Sequence, residues 1–299
     1  MYQQEEVSPL IKEEYEDYLR FIDEALETAE KIPKYFSKFS NKIYCNHQKF
    51  AIYVLMQKLK LTTRGVVSWP RSNSDARLIL GLYRVPVHTT IIRFVNKIKK
   101  FINLVLNIRQ ADTTAIDATG FELETKSFYY RNINKHLFPE YQRKIKKYMK
   151  LNIVIDTDKQ LILKCKINKK AGRDNYNYVR DLIKDLKIKY LIADKGYDSK
   201  RTRSFVIRKL KAIPVIPLHL HNNFYGYMHT KKISGSNYHQ RSKVETVFSV
   251  IKRKYGSVLR NRSYATQQVE LISKLIAYNL DRKLNYLIML IRGLHQSRI

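Results

Sequence analysis

Two aspartates and a glutamate are the residues of this chain best suited by type and setting to do chemistry: Asp117 in "AIDATGF", Asp194 in "LIADKGYDSKRTR" and Glu245 in "NYHQRSKVETVFSVIKRKYG". The last stretch, residues 237–256, keeps Glu245 among five lysines and arginines. Acids are scarce there, since only Glu245, Glu270 and Asp281 follow Asp198. Three carboxylates gathered in one place repel one another and resist ionising, so the cluster is costly unless cations neutralise it. Two divalent ions about 3.5–4 Å apart remove that cost and bridge a phosphodiester, one activating the attacking oxygen and the other stabilising the leaving one. The chemistry expected is metal-dependent phosphoryl transfer, with Asp117, Asp194 and Glu245 as ligands, Mg²⁺ as the ion and Mn²⁺ as its substitute.

The neighbours of Glu245 fit that chemistry. At about 100° per residue, Tyr238, Arg241, Glu245 and Lys252 share a stripe about 60° wide. Val244, Val247, Phe248 and Ile251 form an apolar face beside it. Glu245 should therefore emerge at the edge of a core, in line with a tyrosine, an arginine and a lysine able to grip phosphates.

The elements that must position these residues can be read from periodicity. Residues 8–31 and 46–61 have helical spacing, the second opened by Asn46 as a cap. "VPVHTTIIRFVNKI" reads as a turn followed by a basic helix, the layout of a helix-turn-helix unit, or else as one more segment of a helical bundle. Near residue 111 the period changes. "TTAIDATGF" predicts a short strand ending at Asp117, and "LNIVIDTDKQLILKCKI" two strands joined by a polar turn at Asp156 and Asp158. A helix capped by Asp174, a strand "KYLIAD" ending at Asp194, a helix "SKRTRSFVIRKL", a strand "AIPVIP" and a helix over 238–254 follow. The order β-β-β-α-β-α-β-α is that of an α/β, ribonuclease-H-like fold with a mixed five-stranded sheet. The predicted organisation is an all-helical N-terminal region over 1–110 and a catalytic domain over 111–299, with a short insertion near 218–236 and a C-terminal helix.

The spacing Tyr238, two residues, Arg241, three residues, Glu245, six residues, Lys252 reproduces the YxxRxxxExxxxxxK signature, and the chain resembles the insertion-sequence DDE transposases that carry it. "AIDATGF", "LIADKGYDSKRTR" and "LGLYRVPVHTTIIRF" resemble further segments of that group, so the likeness runs over about residues 78–280. The resemblance implies that Asp117, Asp194 and Glu245 form a metal-binding triad, that Tyr238 and Arg241 contact DNA phosphates near the scissile bond, and that Lys252 contacts the transposon-end strand. It implies binding of terminal inverted repeats, Mg²⁺-dependent cleavage at the element's ends, and transfer of the freed 3′-OH to target DNA by a homodimer or higher oligomer. Relatives with a long insertion hold a flipped base on a tryptophan there. Here the only tryptophan is Trp69, and Phe224, Tyr225 or Tyr227 would have to serve.

Composition supports a polyanionic partner. The formal net charge is +31, and residues 1–31 hold ten of the 26 acids against three bases, so the rest of the chain is more basic still. Cys45 and Cys165 form no CxxC pair, which excludes a cysteine-built zinc site and suits a reducing cytoplasm. His219, His221, His229 and His239 match no zinc-finger spacing. The apolar runs are too short for a membrane span, so a cytoplasmic protein is expected. Two other functions share parts of this pattern. One is a non-catalytic DNA-binding protein derived from a transposase, which would be expected to have lost a carboxylate. The other is a nuclease of the same fold acting on branched or hybrid nucleic acid.

Overall fold

The computed structural model describes residues 9–106, 108–124, 148–168, 176–218 and 237–296. The chain divides into two compact units, residues 1–105 with 273–299, and residues 106–272.

The first unit is helical: α1 (Pro9–Ala29), α2 (Asn46–Lys58), α3 (Thr63–Ser72), α4 (Ser74–Ile79), α5 (His88–Ile98) and α6 (Ile102–Val105). Helix α2 buries Phe50 through Leu55 without a break, as a helix apolar on all sides must. Its cap is Cys45 rather than Asn46. The Cys45 thiol accepts the Gln48 N–H at 3.4 Å while Gln48 Oε1 accepts the Cys45 N–H at 2.9 Å. Asn46 is buried instead and donates to the Pro33 carbonyl at 2.9 Å. The turn before α5 uses Gly81 at φ +59°, a left-handed conformation that disfavours a Cβ. Helix α5 then buries Ile91, Phe94, Val95 and Ile98 and leaves Arg93 and Lys97 exposed.

The second unit carries strands β1 (Thr113–Leu123), β2 (Tyr148–Asp156), β3 (Ile162–Asn168), helix α7 (Tyr176–Ile183), β4 (Tyr190–Ala193), helix α8 (Lys200–Arg208), β5 (Ile213–Val215), helix α9 (Ser242–Tyr255) and β6 (Val258–Leu259). The sheet order is β3-β2-β1-β4-β5. The first three strands are antiparallel, and β4 and β5 run parallel to β1. This is the ribonuclease-H-like topology expected from the element order, with a two-residue sixth strand, β6, added alongside β1. Ile116, Val154, Leu163, Leu182, Ile183, Leu191 and Val206 belong to one buried cluster that fixes helix α7 and α8 residues against the sheet. The β2–β3 turn is the polar one anticipated, since Asp156 Oδ1 accepts the N–H groups of Asp158 and Lys159 at 2.8 and 3.2 Å.

Three features depart from the sequence reading. Strand β1 does not stop at Asp117 but runs on to Leu123, because β2 pairs with it as far as Glu122. The helix expected over 238–254 is a 3₁₀ turn over Asn237–Arg241 followed by α9 from Ser242. The last helix, α10 (Tyr264–Gln296), begins in the second unit, but from Ser273 its residues belong to the first. There Asp281, buried, accepts from Lys58 Nζ at 2.6 Å. Lys58 also stands 4.4 Å over the Phe21 ring. Asp174, Phe224, Tyr225, Tyr227, His219, His221, His229 and nearly all of the 218–236 insertion lie outside the described residues.

Candidate active site

Parallel pairing sets the two aspartates side by side. The β1–β4 register ends with Ile116 opposite Ala193, so the next residue of each strand is Asp117 and Asp194. Here the strands part: β4 ends, and β1 has no further partner on that edge until β6 at Glu122 among the described residues. Asp117 thus sits inside a continuous strand but at the mouth of a gap in its neighbours. Residues 115, 117, 119 and 121 face the same side of the sheet by strand alternation, and α9 packs against β1.

Each aspartate is steadied by its own backbone. Asp117 Oδ1 accepts the Ala118 N–H at 2.8 Å, and Asp194 Oδ1 caps the following 3₁₀ turn through the Lys195 N–H at 2.7 Å. Glu245 lies in the first turn of α9, where the helix N-terminus favours a carboxylate. It is held by a side chain instead. Arg241 Nη2 pairs with Glu245 Oε1 at 2.8 Å, and Nη1 reaches Asp117 Oδ2 at 3.5 Å. The guanidinium therefore stands between two of the carboxylates, and among the described residues no group of three His, Cys, Asp or Glu side chains stands close enough to hold a metal ion as it is.

The electrostatics describe a single cluster. Burial raises the Asp117 pKa, the charges of Asp194 and Glu245 raise it further, and the Ala118 N–H and Arg241 oppose them. Burial alone would lower the Arg241 pKa, but Glu245, Tyr238, Asp117 and Asp194 together raise it. Tyr238 is pushed up by burial and by Asp194 and Asp117, against Arg241, with which it shares a hydrogen bond. Asp117, Asp194, Tyr238, Arg241 and Glu245 thus act on one another electrostatically. Lys252 lies farther along β1, where its Nζ donates to Thr119 Oγ1 at 2.7 Å and stands 5.6 Å over the Phe121 ring.

Two participants escaped the sequence reading. Thr119 holds Lys252, and its position two residues after Asp117, on the same strand face, was the available signal. Gln240 anchors the 3₁₀ turn by accepting from Thr157 Oγ1 at 2.8 Å, and the Thr157 N–H donates to the Thr113 carbonyl at 3.0 Å. Nothing in the local sequence marks Gln240. The two other late acids have structural duties. Asp281 pairs with Lys58, and Glu270 receives the N–H groups of Arg260 and Asn261 at 3.0 and 2.9 Å.

A family model described as "Transposase DDE domain" matches residues 108–280. No curated protein matches the chain. Among solved structures, the cryo-EM structure of the piggyBac transposase synaptic complex with hairpin DNA is similar at 10% sequence identity with a TM-score of 0.45, over 89% of this chain and 72% of that chain.

Proposed function

From the premise that the chain belongs to the family of transposase DDE domains, we propose that it is a DNA transposase of the insertion-sequence group with the YxxRxxxExxxxxxK signature. It binds terminal inverted repeats, cleaves the DNA at the element's ends and joins the freed 3′-OH to target DNA. Asp117, Asp194 and Glu245 hold the divalent cations, Mg²⁺ or Mn²⁺. The observation that supports this reading is the β1–β4 register, which puts Asp117 and Asp194 next in line at the gap beside β1, with Arg241 linking Asp117 to Glu245.

The donor set fits hard cations. Carboxylate oxygens are their preferred ligands, and a partly desolvated Asp117 beside two more acids gains from a nearby positive charge. When bound, the ions would activate the attacking oxygen and stabilise the leaving one. The chain's own residues do the rest. Asp117 and Asp194 keep fixed orientations through their backbone hydrogen bonds. Arg241, released from Asp117 and Glu245, turns its fork to a phosphate, for which its geometry is suited. Tyr238 beside it and Lys252 along the strand extend the grip to neighbouring phosphates. DNA is engaged by a homodimer or higher oligomer, and the strong positive charge of the chain supports that partner.

The test measures binding and cutting separately. Wild type and Asp194→Asn are incubated with DNA carrying candidate inverted repeats, with and without Mg²⁺. The expected result is a variant that binds at least as well and does not cut. Equal cutting by both proteins would remove Asp194 from the site. Binding without cutting by the wild type under every divalent ion would favour the non-catalytic reading.

A further inference from the structure

The helical unit contains a cavity of about 360 Å³ between the connection that precedes α2 and the exposed side of α5. Its lining joins two kinds of group. Phe36, Tyr44 and Phe94 give an aromatic wall, and Lys49, Arg93 and Lys97 bring three cations. Among the described residues no carboxylate lines it. Phe36 and Phe94 are stacked, with centroids 5.9 Å apart and planes 27° apart. Lys49 Nζ stands 5.7 Å over the Phe94 ring and 5.9 Å over Phe36. Burial lowers the Lys49 pKa, Cys45 opposes it, and the charge of Lys97 adds a smaller lowering.

Cations gathered around an aromatic wall with no acid among them attract an anion. The choice of anion follows from the rest of the lining. Inorganic phosphate would meet the cations and leave the rings unused, and an acidic peptide would do the same. A nucleotide uses both: its base stacks on an aromatic face, and its phosphate meets lysine and arginine. Ser40, Asn41 and Thr90 add donors and acceptors for a base edge. The volume lies within the range of about 300–1,000 Å³ usual for small-ligand pockets. We propose that this cavity binds one nucleotide, with its base against the half-buried Tyr44 and its phosphate among Lys49, Arg93 and Lys97. The nucleotide is either free in solution or an unpaired residue of a DNA strand. None of these residues belongs to the Asp117 site, so this inference stands apart from the proposed cleavage chemistry.

The experiment uses the full chain carrying Asp194→Asn, so that no cutting intervenes. Titrations are run with dAMP, with inorganic phosphate, with a peptide of residues 9–29, and with labelled duplexes that are fully paired or carry one unpaired adenosine. Arg93 and Lys97 are exposed, so Arg93→Ala/Lys97→Ala should leave the fold intact, and Tyr44→Leu removes a half-buried ring from the lining. Expected are dAMP binding about tenfold or more tighter than phosphate, in line with the worth of one base–aromatic stack, with NMR saturation transfer from the protein to the base protons. The double variant should lose about tenfold, and Tyr44→Leu should bring dAMP down to the level of phosphate. A preference for the unpaired duplex that vanishes in the double variant assigns the nucleotide to a strand; dAMP binding without that preference assigns it to solution. Equal affinity for phosphate and dAMP, dAMP binding untouched by the double variant, or binding of the peptide alone would each overturn the proposal. Loss of cutting by the wild-type chain with dAMP binding intact would instead count against the proposed function and leave this site standing.

Discussion

Arg241 is the residue whose replacement tests the cluster most directly. Its guanidinium touches Glu245 at 2.8 Å and Asp117 at 3.5 Å, where an ion must come to be shared by those carboxylates. Arg241→Gln should therefore move two properties in opposite directions: cation affinity rises because a competing positive charge is gone, and DNA cleavage falls because a phosphate contact is lost. The magnitude follows from exposure. Two unit charges about 4 Å apart interact by about 4 kcal/mol at an effective dielectric constant of 20, whereas exposed pairs measure about 0.2–1 kcal/mol. The Glu245 side chain is 56% exposed and belongs near the lower figure; Asp117 at 21% lies between the two. Together the contacts oppose a cation by about 1–3 kcal/mol, which converts to a gain of about 5- to 150-fold in affinity. Mn²⁺ binding followed by titration calorimetry or by electron paramagnetic resonance reads this without any DNA. Glu245→Gln serves as the opposite control and should weaken binding. Unchanged or weaker Mn²⁺ binding by Arg241→Gln would refute the idea that Arg241 and the cation compete for the same carboxylates.

Other expectations concern stability and binding. Asp281→Ala leaves Lys58 buried without its carboxylate and should cost about 3–5 kcal/mol in denaturant unfolding, while Lys58→Met/Asp281→Leu should recover most of that loss; equal losses in both would contradict the assignment. Glu270→Ala strips the acceptor from the Arg260 and Asn261 N–H groups and should cost about 1–3 kcal/mol, with Glu270→Gln falling between it and wild type. Burial pushes the Cys165 thiol up to about 12, while the residue is only half-buried, so iodoacetamide at pH 8.5 should modify Cys165 more slowly in the native protein than after denaturation. Because the fold favours the neutral thiol, that contribution to stability is complete below the unfolded pKa of about 8.5 and is lost as pH rises toward the folded value. Affinity for DNA should fall by about 10³–10⁵ between 50 and 200 mM salt if six to ten phosphates are contacted, and a flat response in filter-binding assays would point to another kind of partner.

Much of the catalytic unit was legible because the pattern of each segment agrees with its place. The apolar stretches around Asp117 and Asp194 are buried strands, and Val244, Val247, Phe248 and Ile251 of α9 are buried as their spacing required. What could not be read depended on distant partners. Thr119 and Gly120 look like the start of a turn, yet β2 pairs with them and carries β1 onward. Cys45 displaced Asn46 as a cap because Asn46 found the Pro33 carbonyl instead. The two-residue β6 has too little sequence to be seen alone and exists through its register with Glu122 and Leu123. The parts played by Glu270 and Asp281 were likewise invisible, since the scarcity of acids says that each is needed without saying for what.

The three acids are not held alike, and this has a mechanical consequence. Asp117 and Asp194 are bolted to the sheet by their own main chain, whereas Glu245 reaches in from a helix on a longer, more exposed arm steadied by a single side chain. The cluster resembles a vice with two fixed jaws and one sliding jaw. In the proposed mechanism, lengthening either fixed jaw, as in Asp117→Glu, leaves no room for adjustment, while the sliding jaw would be free to follow a reacting centre as bonds are exchanged.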